Sequence, residues 1–213
     1  MYRRFIYPNV GQGAVNLPAL VEAPQEADLP RVLTRLGIKK LDYLIRGVAQ
    51  VRQSQRVLEL FGGTCFSTAC LARCTKRITS VDLCYDFSPW RYVVNRNFAL
   101  ASWSLDTDSE PNFVAADARS LPFPPNGFDV VLAPDSPRTV TAYTDEQRDL
   151  FMAAAKEARR VLKPGGIFAA TAPEDWTKEL DFSEIRVIND NALSEGVRFR
   201  QCNNCIRYIR CVA

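Results

Sequence analysis

Histidine is missing from all 213 residues of this chain. Its absence removes the commonest general base of enzymes and the commonest ligand of zinc. Any proton transfer that this protein carries out must therefore use a carboxylate, a tyrosine or the ionisation of the substrate itself.

Long apolar runs are missing as well, because no segment approaches the roughly 18 consecutive apolar residues that a membrane-spanning helix needs. The first residues include Arg3 and Arg4 but no apolar stretch followed by a small-residue cleavage site, so a secretory signal is not indicated. We expect a cytoplasmic protein with no membrane contact.

The seven cysteines are an odd number and do not indicate a disulfide scaffold. Four of them lie in or beside apolar segments, as buried reduced thiols do: Cys65, Cys70, Cys74 and Cys84. The other three supply one C-x-x-C pair and a third thiol near the C-terminus: Cys202, Cys205 and Cys211. Zinc usually needs four ligands and neither a second pair nor a histidine is present, so we predict no metal.

The composition is that of a globular domain, with 47% hydrophobic and 24% charged residues. The net charge of +3 is unevenly spread, because residues 1–56 and 182–213 are basic whereas residues 57–181 are acidic. The basic flanks are compatible with an anionic substrate or a nucleic acid. An ordinary solvated surface is the simpler interpretation.

Short apolar runs alternate with helical patterns from residue 56 onward, which indicates an α/β fold with a mostly parallel sheet and helices on both faces. The predicted strands are residues 57–60, 78–83, 112–115, 128–133 and 167–172. The predicted helices are residues 67–74, 89–102 and 144–162. The last helix has the clearest signals, because Thr144 and Gln147 form a capping box and Lys163-Pro164-Gly165-Gly166 follows its end.

The two ends of the chain differ from this central pattern. Residues 28–36 and 39–50 have helical spacing and are predicted to form a lid or buttress, so we divide the chain into an N-terminal extension, 1–55, and a main domain, 56–213. At the other end, "EIRVIND" and "CIRYIRCVA" are predicted to add an antiparallel strand pair at the sheet edge.

A glycine turn follows the first strand in the sequence "VLELFGGTC". The carboxyl ends of strands in doubly wound folds open into a crevice that holds nucleosides. Neither G-x-G-x-x-G nor G-K-[ST] is present, so this loop is not predicted to bind pyrophosphate. Asp82 ends the second strand, where an acid accepts hydrogen bonds from both hydroxyls of a ribose. A nucleoside without a phosphate requirement is the predicted ligand.

Four segments resemble the class I S-adenosylmethionine-dependent methyltransferases, in the small-molecule, type-11-like branch. They are "VLELFGGTC", "ITSVDL", "FVAADARSLPFPPNGFDVVLAP" and "EARRVLKPGGIFAAT". The resemblance covers residues 56–172 and implies a Rossmann-like, doubly wound sheet that binds S-adenosyl-L-methionine. The cofactor-binding residues that it implies are Glu59, Phe61, Gly62, Gly63, Thr64, Asp82, Leu83, Asp117, Ala118 and Ala133.

In the family, the first segment surrounds the methionine part of the cofactor, the acid corresponding to Asp82 binds the ribose, and the pair corresponding to Asp117 and Ala118 meets the adenine. Cys65 departs from the pattern, because the family usually has glycine there. A side chain at this position takes up space near the amino acid end of the cofactor.

The segment "LAPDSPRT" follows the fourth strand, where the family commonly meets its substrate. Asp135 is the candidate base or substrate-orienting group, and Arg138 is the candidate partner of a substrate anion. Alternatively, Asp135 caps its own backbone in a proline-framed turn. The segment is not the Asn-Pro-Pro-Tyr type of motif that holds a nucleic-acid base, which weakens the case for a nucleobase amine as acceptor.

The function predicted from these patterns is methyl transfer from S-adenosylmethionine to a small-molecule metabolite. The first alternative is an RNA or protein substrate, which the basic flanks motivate. The second is a non-catalytic binding module in which Cys65 marks a decayed site.

Overall fold

The structure of the chain is a computed structural model, and it describes residues 41–63, 65–86, 109–134, 144–188 and 206–213. Seven strands form one sheet: β1 (Val57–Leu60), β2 (Ile78–Asp82), β3 (Asn112–Ala115), β4 (Phe128–Ala133), β5 (Leu162–Pro173), β6 (Glu184–Ile188) and β7 (Ile206–Val212). Two α-helices are described: α1 (Phe66–Ala72) and α2 (Asp145–Val161).

The strand order is β3-β2-β1-β4-β5-β7-β6. Strands β1 to β5 are parallel, whereas β7 runs antiparallel to both β5 and β6. The chain builds outward from β1 to β3 and then returns to place β4 on the other side of β1. A crevice therefore opens at the carboxyl ends of β1 and β4, where ligands bind in folds of this kind. The predicted α/β, Rossmann-like sheet and its antiparallel pair are confirmed.

The two faces of the sheet carry separate apolar clusters, because successive side chains of a strand point to opposite faces. Leu58 and Val131 belong to the cluster that α2 covers, together with Phe151 of that helix. Val57 and Val130 belong to the cluster on the other face. This alternation shows why the central strands are apolar on both faces.

The segment before β1 packs on the second face rather than standing apart from it. A short π-helical segment, Tyr43–Val48, buries Leu44, Ile45 and Val48 in the same cluster as Val57. This part of the predicted 39–50 helix therefore acts as a buttress. The helix at 28–36, the lid formed with it and the helix at 89–102 lie outside the described residues, and the boundary at residue 56 stays a prediction.

Helix α2 begins as its sequence predicts. The Thr144 hydroxyl accepts from the Gln147 amide at 3.2 Å, and the Gln147 side chain accepts from the Thr144 amide at 3.2 Å. The helix ends at Val161, one residue before the predicted end, and β5 starts at once, five residues before its predicted start. The early start follows from pairing, because the Gly165 amide donates to the Ala213 carbonyl and Leu162 pairs with Phe128.

The segment that leads from β3 to β4 is clamped onto α2. Arg160 donates to the carbonyls of Leu121 and Phe123 at 2.9 and 2.8 Å, and Glu157 accepts from the Leu121 amide at 2.8 Å. The Arg160 guanidinium also bonds Glu157 at 2.7 Å. These bonds hold the pKa of Glu157 below its ordinary value, with the Arg160 hydrogen bond as the largest cause.

This clamp predicts an acid-sensitive part of the stability. A carboxyl whose pKa is lower in the folded state stabilises the fold above its unfolded pKa of about 4.3, and that contribution is lost as the pH falls through the folded value. We expect Glu157→Gln to be less stable than the parent protein at pH 7 and to lose less stability between about pH 5 and pH 3. Urea unfolding across this range measures both effects.

The matched control is Glu146→Gln, which removes an exposed carboxyl from the first turn of the same helix. The pH dependence of its stability should differ from that of the parent protein less than that of Glu157→Gln does. Parallel profiles for Glu157→Gln and the parent would contradict the role of the clamp.

Within the described ranges, none of the helices has the length and apolar character needed to span a lipid bilayer.

Candidate functional site

The carboxyl ends of β1, β2, β3 and β4 lie along one edge of the sheet. Most of the residues that the sequence predicts to bind a cofactor follow directly from these ends, and the structure places them there: Glu59, Phe61, Gly62, Gly63, Asp82, Leu83, Asp117, Ala118 and Ala133. Thr64, Asp135 and Arg138 lie outside the described residues, as do Cys202 and Cys205. Their roles stay predictions.

Asp82 ties the glycine turn to the end of β2. Its Oδ2 atom accepts from the Gly63 amide at 3.0 Å, and its Oδ1 atom accepts from the Cys84 amide at 2.9 Å. A carboxylate offers about four acceptor positions, so the two amide bonds and a hydrogen bond from the Cys84 side chain still leave acceptor capacity for a ligand. The two amides fix the direction of the carboxylate before any ligand arrives, and its remaining acceptor capacity suits a pair of vicinal hydroxyls.

Leu83 presents an apolar surface beside this carboxylate. It is 64% exposed and is the one large hydrophobic side chain among the described residues that is exposed in this way. It begins a short 3₁₀ turn, Leu83–Asp86, directly after the strand that ends in Asp82. A flat, uncharged ring next to a ribose would cover this surface and remove apolar area from water.

Gly63 allows the turn to fold back toward Asp82. Its φ is +48°, in the left-handed region that glycine adopts without strain. A Cβ built on Gly63 would meet only the Phe61 carbonyl oxygen, at 3.8 Å. The space in front of Gly63 is therefore open, as the sequence predicts for a turn that a ligand approaches.

Gly62 has a different reason to be glycine. A Cβ at this position would lie 2.0 Å from the Ser80 Oγ atom and 2.3 Å from the Tyr85 Oη atom. Gly63 leaves open space in front of the turn, whereas Gly62 makes room for two hydroxyl groups of the protein. Ser80 lies in β2 and Tyr85 in the turn after it, whereas Gly62 follows β1. The contact therefore depends on how the strands pair, and no local sequence signal predicts it.

Glu59 lies beneath the glycine turn and has no exposed surface. Its Oε2 atom accepts from the Thr68 hydroxyl of α1 and from the Ser80 hydroxyl of β2, the latter at 2.7 Å. The same oxygen lies 3.2 Å from the position that a Cβ on Gly62 would occupy. The geometry thus gives Glu59 a supporting position below the loop, and its direct contact with a cofactor stays a prediction.

Tyr85 extends the hydrogen bonds around Glu59. Its Oη atom lies 3.0 Å from the Ser80 Oγ atom. The Ser80 hydroxyl has one proton, which it donates in the hydrogen bond to Glu59. In its contact with Tyr85, Ser80 can therefore only accept, so Tyr85 is the donor. Burial raises the pKa of Tyr85 well above its ordinary value, so the phenol keeps that proton. The donors therefore run in one direction, from Tyr85 through Ser80 to Glu59.

Cys65 joins the same network instead of lining the crevice. Its thiol is fully buried, with Sγ 3.6 Å from the Tyr85 Oη atom and 3.7 Å from the Gly63 carbonyl oxygen. Burial raises the pKa of Cys65, so it is a neutral thiol rather than a nucleophilic thiolate. The thiol therefore occupies interior space against Tyr85.

The backbone around Cys65 is strained. Phe61 and Cys65 have φ values of 59° and 68°, both in the left-handed region that disfavours residues with a Cβ. Each such residue costs about 1–2 kcal/mol relative to glycine. The backbone of the loop thus adopts the left-handed conformation at two positions that are not glycine. The contacts of the Cys65 side chain stabilise this conformation.

Asp117 forms an ion pair with Arg119 at the end of β3. The Asp117 Oδ2 atom lies 2.6 Å from Arg119 Nη2, and its Oδ1 atom accepts from the Arg119 amide at 2.8 Å. The Arg119 hydrogen bonds lower the pKa of Asp117, which keeps the carboxylate ionised. Ala118 is buried beside it, and Ala133 is buried at the end of β4. The sequence did not predict Arg119 as a partner, although a charge two residues away is a local signal that could have suggested it.

No group of three or more cysteine, aspartate or glutamate side chains is placed to hold a metal ion within the described part of the chain. The described cysteines, Cys65, Cys70, Cys74, Cys84 and Cys211, are free thiols.

A family model described as a methyltransferase domain matches residues 58–170, which is more than half of the chain. The chain belongs to this methyltransferase family. The match spans β1 to β5 and includes every described residue of the candidate site. The resemblance drawn from the four sequence segments is thereby confirmed, and class I methyltransferase domains use S-adenosylmethionine as the methyl donor.

Curated relatives include two ubiquinone/menaquinone biosynthesis C-methyltransferases named UbiE. The protein from Azotobacter vinelandii is 35% identical over 116 residues, which cover 54% of this chain and 41% of the relative. The protein from Edwardsiella ictaluri is 34% identical over 140 residues, which cover 65% of this chain and 51% of the relative. The chain thus spans about half the length of these relatives.

Solved structures share the fold of this chain. TrmN from Thermus thermophilus superposes with a TM-score of 0.59 at 21% identity, covering 91% of this chain and 54% of that protein. An S-adenosylmethionine-dependent methyltransferase from Aquifex aeolicus superposes with a TM-score of 0.56 at 12% identity, covering 89% and 100% of the two chains. At these identities the likeness concerns the fold alone.

The close approach at Gly62 predicts that a single methyl group disrupts the methyltransferase loop. We expect Gly62→Ala to destabilise the protein by about 1–3 kcal/mol, because Ser80 and Tyr85 must move to admit the new carbon. Thermal or urea unfolding measures the loss. Gly127→Ala is the matched control, since a Cβ there would lie 3.5 Å from the Pro124 carbonyl, an ordinary contact. Equal stability of the two variants would show that Ser80 and Tyr85 can move at little cost in free energy, which would contradict the prediction.

The direction of the hydrogen bonds predicts coupling between Tyr85 and Ser80. Tyr85→Phe keeps the ring, which packs edge to face on Phe113 at 5.4 Å, and removes only the hydroxyl. We expect a loss of about 1–2 kcal/mol. The Ser80→Ala/Tyr85→Phe double variant should lose less than the sum of the two single variants, because both remove one shared bond.

The control for this cycle is Ser183→Ala, which removes an exposed hydroxyl bonded to the Val212 carbonyl at 2.8 Å. Combined with Tyr85→Phe, it should give additive losses in urea unfolding. Additive losses for Ser80 and Tyr85 as well would contradict the shared hydrogen bond.

Proposed function

We propose that this chain transfers the methyl group of S-adenosylmethionine to a small-molecule acceptor. The observation that carries the proposal is the Asp82 carboxylate, held by the amides of Gly63 and Cys84 beside the exposed Leu83. It lies where the strand order of a methyltransferase domain opens its crevice.

The chemistry of these residues fits the cofactor. An oriented carboxylate with free acceptor positions suits the two ribose hydroxyls, and an exposed leucine suits the adenine ring. The described part of the glycine turn, residues 61–63, carries no cation that would select a phosphate. A nucleoside with a sulfonium and no phosphate matches this combination.

When bound, S-adenosylmethionine supplies a methyl group activated by a sulfonium, and its transfer is an in-line displacement. The task of the protein is to hold the acceptor atom and the methyl group close together and in line. Asp82 and Gly63 orient the nucleoside part, and the hydrogen bonds from Tyr85 to Glu59 keep the turn in the shape that does so. Because the chain has no histidine, a proton on the acceptor must leave to a carboxylate, to a tyrosine or to solvent.

The acceptor is proposed to be a metabolite, with methylation at carbon as the first reaction to test. The support for this choice is the likeness to the UbiE relatives, which are named as C-methyltransferases of ubiquinone and menaquinone biosynthesis. Asp135 is the proposed base or orienting group, and Arg138 the proposed partner of a substrate anion. Residues 56–213 are the proposed catalytic unit, and we keep a cytoplasmic location as part of the proposal.

Calorimetric titration with S-adenosylmethionine tests the site. We expect Asp82→Ala to weaken binding by about 1.5–3 kcal/mol, because the ribose hydroxyls lose a charged acceptor. Asp82→Ala also removes bonds to two loop amides, so Leu83→Ala serves as a second variant whose truncation removes only exposed surface. It should weaken the cofactor several-fold and leave the urea unfolding curve unchanged.

The control is Asp86→Ala, an exposed acid in the same 3₁₀ turn. Its affinity for S-adenosylmethionine should equal that of the parent protein. No heat from the parent at high protein concentration would overturn the enzyme proposal and leave a non-catalytic binding module. Normal binding with radiolabelled methyl transfer to RNA, and none to quinone-type acceptors, would overturn the choice of a small-molecule substrate.

A further inference from the structure

A pocket lies at the opposite edge of the sheet from the proposed cofactor site. It has a volume of about 320 Å³ and opens at the amino ends of β1, β2, β3 and β4. Strand β2 has five residues, so the two edges are separated by roughly 16 Å at about 3.3 Å per residue. Nothing in the methyl-transfer proposal uses this pocket.

The strand order brings positive charges together at this edge. Arg56 comes directly before β1, and Lys76 and Arg77 come directly before β2. The Val57 amide donates to the Arg77 carbonyl at 2.9 Å, which fixes the two strand starts side by side. Three basic side chains that precede two neighbouring strands thus line one pocket. Lys76 already interacts within the protein, so Arg56 and Arg77 carry the argument for a ligand.

Arg56 is positioned by aromatic packing. Its guanidinium carbon lies 5.6 Å from the ring centroid of Phe128, the first residue of β4. The Phe128 ring packs edge to face on Phe123 at 5.2 Å, and the Arg56 amide donates to Asp129 Oδ2 at 2.8 Å. A guanidinium stacked on a ring keeps its N–H groups free at the edge, so Arg56 is preorganised to donate to an anion.

The charge balance of the pocket favours an anion. Among the described residues, Glu110 is the one carboxylate that lines it, against the guanidinium groups of Arg56 and Arg77. The nearest strand acid, Asp129, is bonded to Lys163 at 2.5 Å and to the Arg56 amide, so its charge is already compensated. Asn112 adds a side-chain amide to the lining. Guanidinium groups donate in pairs to the oxygens of phosphate, with stronger bonds than neutral donors form.

We propose that this pocket binds a phosphate group. Its volume is at the lower end of the range of small-ligand sites, which suits a phosphate or diphosphate with a small substituent. The phosphate can belong to a free small molecule or to a nucleic acid backbone, and the two sources are separated by experiment. The pocket differs from the glycine turn, which carries no comparable cations in its described residues.

The probe is sodium pyrophosphate, titrated into the whole protein at low ionic strength and followed by calorimetry. We expect saturable binding that Arg77→Gln weakens at least 10-fold. Arg77 is exposed, so this variant keeps the fold. Glu110→Gln should instead tighten pyrophosphate binding, because it removes the one opposing charge of the lining. Tighter binding by Glu110→Gln cannot result from unfolding, because an unfolded variant would bind pyrophosphate less well.

The matched control is Arg186→Gln, which removes an exposed arginine from the edge strand β6. It should leave pyrophosphate binding unchanged, as should Leu83→Ala at the cofactor edge. The Leu83 variant separates the two proposals, since failure of cofactor binding would not alter the pyrophosphate result.

Two further arms distinguish the source of the phosphate. Competition by an unphosphorylated 10-nucleotide RNA, lost in Arg77→Gln, would assign the pocket to a nucleic acid backbone. Competition by a nucleoside monophosphate but not by that RNA would assign it to a small molecule. The proposal is overturned by absence of saturable binding, or by equal weakening in Arg77→Gln and Arg186→Gln, which would mean a general attraction to surface charge.

Discussion

A carboxyl group without solvent contact lies under the glycine turn of this chain, and the shape of the site depends on the hydrogen bonds that it accepts. Glu59 accepts hydrogen bonds from the Thr68 hydroxyl of α1 and the Ser80 hydroxyl of β2. Tyr85 in turn donates a hydrogen bond to Ser80. Burying a polar group without such partners costs several kcal/mol. The hydrogen bonds therefore fix the positions of β1, β2 and α1 at the point where the turn must hold its path.

The turn itself combines permissive and unfavourable residues. Gly63 adopts its left-handed conformation without cost, whereas Phe61 and Cys65 adopt theirs against their own preference. The Cys65 side chain is fully buried against Tyr85, and this burial offsets part of the strain. A departure from the family pattern that looked like damage in the sequence is thus accommodated by packing in the interior, away from the open face of the turn.

Much of the architecture was predictable because its signals are local. The bounds of β1, β3 and β4 follow from apolar runs between turn residues, and the start of α2 follows from a capping box. The placement of Asp82 at the crevice follows from its position at a strand end. These features need only the residues beside them, so one sequence is enough to show them.

Other features depend on residues far apart in the chain. The supporting position of Glu59 requires Thr68 and Ser80 to meet it, and the early start of β5 requires Ala213 to pair with Gly165. The phosphate pocket requires the starts of four strands to be brought side by side. Sequence periodicity predicts that strands exist, but the order of the strands decides which side chains become neighbours.

The close packing beneath Gly62 also constrains how this loop can diverge. A side chain at position 62 and the hydroxyl groups of Ser80 and Tyr85 compete for the same volume. Relatives that carry a larger residue at this point of the turn must have given up one or both hydroxyls, and must support the buried acid in another way. The three positions are therefore expected to covary as a set, even though 17 residues of chain lie between the first and the second.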